Sequence, residues 1–120
     1  MTEIITGVGS PGTINSASGG RVYAYNIISS SPLQVVGQNA SRQSITFHNP
    51  GSVDIFVAPT MVQNSGSDVA LSPTPSNLGG CLRVPANGGT LVITGECQKP
   101  WQAFSASGSG NPLTVVDTNV

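Results

Sequence analysis

The chain has 120 residues, of which 8% are charged and 38% hydrophobic, and its formal net charge is −1. That length argues for one domain with one modest core, and the apolar content is too high for a chain left disordered by lack of burial. Four scattered basic residues, Arg21, Arg42, Arg83 and Lys99, give no electrostatic footprint for nucleic acid, and no apolar run approaches the ~20 residues needed to cross a bilayer. So little charge points to a surface covered by partner subunits, a neutral outer face being the alternative.

Residues 1–20 are rich in glycine, serine and threonine, with Ile4, Ile5, Val8 and Ile14 as isolated apolar points that fit no helical period. Two readings stand: a frayed terminus, or an extended arm whose isoleucines act as pegs on a neighbouring subunit. The start also lacks the basic and long apolar segments of a secretory signal, so synthesis in a cytoplasm is expected. Residues 21–120 are then the single folded domain.

Arg21–Ile28 reads as a strand with Tyr23, Tyr25 and Ile27 on one side and Val22, Ala24 and Asn26 on the other. The tyrosine side suits core or interface, having apolar rings with polar tips. Leu33–Val36 is a further short strand. In 42–59, RQSITFHNPGSVDIFVAP, Ile45 and Phe47 alternate with polar residues before Asn49-Pro50-Gly51-Ser52, and Ile55 and Val57 alternate after it. This stretch predicts a β-hairpin around a type II turn, with Gly51 at the position of positive φ. Asp54 is expected at solvent or a sheet edge, and His48 as a hydrogen-bonded structural residue.

Val69–Leu71 is a brief strand, and SPTPSNLGG a long irregular loop of the kind that carries function or meets a partner. Cys81–Val84 and Thr90–Thr94 are strands separated by the Asn87-Gly88 turn signal. Residues 101–117, WQAFSASGSGNPLTVVD, predict a second hairpin, with Trp101 as a core residue. The whole is an all-β chain of about eight short strands: a compact antiparallel β-sandwich or jelly-roll-like domain.

Chemistry is hard to find. The acids Glu3, Asp54, Asp68, Glu96 and Asp117 form no motif, and a serine triad would have to recruit His48, the one histidine. Neither Cys81 nor Cys97 belongs to a C-x-x-C pair, so free structural thiols are expected, with no metal and no cofactor.

Three segments together resemble small virion structural proteins of tailed bacteriophages. They are Arg42, Ile45, Phe47, Asn49 and Pro50; Gly89, Leu91 and Ile93; and Trp101 with Ala106-Ser107-Gly108 and Leu113-Thr114-Val115. The resemblance covers roughly residues 33–117. It implies a non-enzymatic capsid decoration, or cement, protein at the virion surface, bound across major capsid protein subunits as a homo-oligomer, dimer or trimer. Ile4, Ile5, Val8, Ile14, Tyr23 and Tyr25 are then the expected interface residues. The alternative is a receptor- or carbohydrate-binding module of a phage tail fibre or adhesin, using the 63–80 loop, Tyr23, Tyr25 or Trp101.

Overall fold

Period-two alternation becomes ten strands in the computed structural model, which describes residues 19–119. They are β1 (Gly19–Ile28), β2 (Leu33–Val36), β3 (Arg42–Asn49), β4 (Ile55–Pro59), β5 (Met61–Asn64), β6 (Ser67–Ala70), β7 (Leu82–Val84), β8 (Gly89–Ile93), β9 (Trp101–Ser105) and β10 (Asn111–Asn119). Ile4, Ile5, Val8 and Ile14, and with them the expected arm, lie outside the described residues. Gly19 and Gly20 already belong to β1, opposite Asn119 and Thr118.

Eight strands form two four-stranded antiparallel sheets, the first in the order β1-β10-β3-β8 and the second in the order β2-β9-β4-β7. The β5–β6 hairpin stands apart as a third small sheet. Leaving it out, the chain changes sheet at every step except β4 to β7. That is the jelly-roll arrangement of a β-sandwich. Ile45, Phe47, Leu113, Val115 and Ile93 of the first sheet meet Val35, Ile55, Val57, Val84 and Trp101 of the second in one core. Phe47 and Trp101 lie across the middle with ring centroids 5.9 Å apart.

This topology corrects both expected hairpins. β3 pairs with β10 and β8 while β4 pairs with β9 and β7, so 42–59 is an arch between sheets. The 101–117 stretch is a second arch, because β9 and β10 also lie in different sheets. Asn87-Gly88 turns the chain from β7 in one sheet to β8 in the other, both residues at positive φ. Hairpin and arch share the same alternation, since either way each strand turns one face to the same core. The one tight hairpin among the described residues is β5–β6, turned by Ser65 (φ 54°) and Gly66 (φ 84°), the pair of positive angles a type I′ turn requires.

Gly51 also has a different reason from the one expected. It does not take a positive φ; instead a Cβ there would lie 2.8 Å from Cδ of Pro112. Beside it, the buried Asn49 side chain donates to the carbonyls of Val53 (2.8 Å) and Val84 (3.0 Å) and accepts from the Gly51 N–H. Asp54 is more than an edge charge: its carboxylate accepts from the Ala86 N–H at 2.8 Å and faces Arg83 at 3.7 Å. The turns at this end of the sandwich are thus tied to one another.

The opposite end is held by Arg42. It is 2% exposed and donates from Nε to Asp117 (3.3 Å), from one terminal nitrogen to the Cys97 carbonyl (2.8 Å), and from the other to the Gly37 carbonyl (2.9 Å). Asp117, 1% exposed, also accepts from the Arg21 N–H at 2.9 Å. A buried ion pair stabilises only when the remaining donors and acceptors are satisfied, and here the guanidinium fork reaches two loops and β10 at once.

Candidate functional site

Tyr23 and Tyr25, expected at an interface, face inward. Both are half-buried and pack against the core, the Tyr25 hydroxyl donating to the Val35 carbonyl at 2.6 Å and the Arg21 guanidinium lying 5.8 Å from the Tyr23 ring centroid. Burial pushes the Tyr25 phenol above its ordinary range, and neighbouring Tyr23 adds to the effect. Ile27 does not follow the tyrosines: an irregularity between Tyr25 and Ile28 turns Ile28 into the core and leaves Ile27 65% exposed. Trp101 is 3% exposed, with its indole N–H on the Glu96 carbonyl at 3.1 Å. The tyrosines and Trp101 therefore present no joint aromatic platform.

His48 is the one imidazole that could serve as a catalytic base. Its Nδ1 lies 2.9 Å from the Thr90 hydroxyl, directly across from β8. A hydroxyl beside an imidazole begins a nucleophile–base pair, but that chemistry also requires a group holding the ring and donors for the developing oxyanion. Neither accompanies this pair among the described contacts. Cys97 is buried and free, its thiol directed at the Arg42 and Thr94 carbonyls; Cys81 is also free, its thiol raised by burial. Among the described residues no three His, Cys, Asp or Glu side chains converge as a metal site, and no helix is long and apolar enough to cross a membrane.

What the strands do build is a surface on the outer side of the first sheet. One row crosses all four strands, Val22 opposite Val116, then Thr46, then Val92. The next row is Ala24, Thr114, His48 and Thr90. A third contains Gly20, Thr118 and Ser44. None of these positions carries Asp, Glu, Lys or Arg. Val22 is 71% exposed and Val92 56%. The hydroxyls of Ser44 and Thr118 bond each other at 2.7 Å, as His48 and Thr90 do, so part of the face's polar capacity is already met within the sheet.

A second feature is a groove of about 320 Å³ between the β5–β6 hairpin and the body, lined by Gln38, Thr60, Met61, Asp68, Gln98 and Lys99. Asp68 accepts from Gln63, and Lys99 pairs with Glu96 at 3.0 Å.

The fold and these surfaces define a jelly-roll sandwich with an uncharged open face. Compared with known families, characterised proteins and solved structures, the chain matches none.

The face was only half visible beforehand. Low charge raised a neutral outer surface as an alternative, but the order of strands was needed to align Val22, Val116 and Val92. The Arg42–Asp117 lock was missed, because partners 75 residues apart leave no local signal.

Proposed function

We propose that the chain is a non-enzymatic virion structural protein, a capsid decoration (cement) protein that binds across neighbouring major capsid protein subunits and stabilises the head. The observation that carries this reading is the uncharged outer face of the first sheet. Interface centres are depleted in charge, and contiguous exposed apolar surface marks association. The sandwich behind the face, with turns tied at one end by Asn49 and Asp54 and at the other by Arg42, supports a stiffening role. Many weak contacts repeated over a lattice then act together. The resemblance in 42–50, 89–93 and 101–115 directs the proposal to a phage head.

The test is the copy number in purified particles, by quantitative mass spectrometry against the major coat protein. A number comparable with the coat subunits is expected, together with lower heat resistance of particles that lack the chain. Absence from particles would overturn the proposal.

One observation favours the second reading, a carbohydrate- or receptor-binding module: the groove beside β5 and β6, where Gln38, Gln98, Asp68 and Lys99 offer amide and charged groups over Met61. Glycan-array binding that is lost in Gln38→Ala would turn the assignment to this reading.

A further inference from the structure

We propose that the outer face of the first sheet docks on the same face of a second copy, making a two-fold dimer by sheet-on-sheet stacking. This rests on reading the face as an assembly surface and makes its occupant a second copy, so that coat subunits are met by other surfaces of the paired unit. Three properties fit a copy better than a different protein.

The first is charge. The rows Val22–Val116–Thr46–Val92 and Ala24–Thr114–His48–Thr90 contain no Asp, Glu, Lys or Arg. A surface bearing net charge of one sign repels its own copy, whereas this one meets itself without like charges opposed. The described charged residues lie elsewhere: Arg42 and Asp117 inside, Arg21 on the edge strand but turned to the opposite side over the Tyr23 ring, Asp54 and Arg83 at one end, and Asp68, Glu96 and Lys99 around the other.

The second is pattern. Valines stand at both edge strands, Val22 on β1 and Val92 on β8, with Val116 between them. A two-fold axis along the strands sets Val22 of one copy against Val92 of the other, and an axis across them sets each row on itself. Either way the edge valines meet valines, the self-complementarity an isologous interface needs. Ser44–Thr118 and His48–Thr90 are already bonded within the face, so stacking strands fewer polar groups than separate hydroxyls would.

The third is area. Four strands ~4.8 Å apart and about eight residues long at ~3.3 Å each cover roughly 500 Å². Two such faces bury roughly 1,000 Å², the lower limit for a specific interface. An interface at that limit is weak and reversible, so association is expected at high protein concentration.

Sedimentation equilibrium of the full chain from about 1 to 300 μM tests this, with Val22→Lys and Val92→Lys as interface variants and Arg83→Ala as the control. Circular dichroism monitors the fold of each. The expected result is a monomer–dimer equilibrium weakened at least tenfold by each lysine and unchanged by Arg83→Ala. A wild type that stays monomeric, or a dimer indifferent to both lysines, overturns the proposal. If the chain is monomeric yet Val92→Lys is lost from particles, the occupant is the coat protein. A dimer that forms although the chain is absent from particles keeps this inference and removes the virion reading instead.

Discussion

On the second sheet the outward row Arg83–Phe56–Phe104 and the outward pair Ala58–Gln102 are largely sealed: Phe104 and Ala58 are fully buried, and Gln102 is 7% exposed. The seal is the protein's own chain. Gln102 donates to the Pro59 carbonyl at 3.3 Å and to the Leu71 carbonyl at 2.8 Å, and Pro73, two residues further on, is buried. The same row positions on the first sheet, Val22, Val116, Thr46 and Val92, receive no such cover from the described residues. One outer face carries two phenylalanines with ring centroids 5.6 Å apart, Phe104 fully buried and Phe56 half-buried; the other carries valine, threonine and serine and is left open by the described residues. Aromatic area of that size exposed on a monomer is a liability, whereas small β-branched residues tolerate water and still release it readily on association.

The largest effect is expected where both sheets are held together. Arg42→Ala leaves Asp117 buried without its main partner and frees the Gly37 and Cys97 carbonyls. A loss of about 3–5 kcal/mol follows, read from denaturant unfolding, and it should disturb both faces alike. Phe104→Ala breaks the comparison on the sealed side alone. A loss of about 3 kcal/mol is expected in denaturant unfolding, while dimerisation through the other face persists.

Tyr25→Phe removes the hydroxyl donated to Val35 and costs about 1 kcal/mol. It also changes the alkaline limb. The folded-state phenol titrates above its unfolded value, so its contribution is complete below about pH 10 and is lost as pH rises through the folded value. Wild type should therefore lose stability more steeply above pH 10 than Tyr25→Phe, in paired thermal melts. The smallest effect on folding belongs to the open face: Val92→Lys should shift stability by less than about 0.5 kcal/mol while weakening association at least tenfold.

Much of the strand content was legible from alternation alone. Leu33–Val36 has the bounds expected, and the segments around Phe47, Ile55, Leu91 and Trp101 fell where apolar residues recur every second position. Connectivity was not, because Asn49–Asp54 and Ala106–Gly110 turn the chain equally well within a sheet or between sheets. The β5–β6 hairpin was hidden by its thin apolar content, Val62 opposite Val69, and by a Ser-Gly turn where Asn-Gly is the familiar signal. Ile27 was assigned to the wrong side because the irregularity before Ile28 breaks the period of two. Of the expected interface residues, Tyr23 and Tyr25 lie on the inner side of the strand whose outer side, Val22, belongs to the open face.

The account's central claim is that one outer face is sealed by its own chain and the other is kept for assembly. Hydroxyl-radical footprinting of the full-length protein, dilute and concentrated, tests it at the side chains themselves. The account predicts that Val22, Val92 and Val116 lose labelling as concentration rises, while Met61 and Leu82, exposed elsewhere, keep theirs. Equal labelling of all five at every concentration would contradict it.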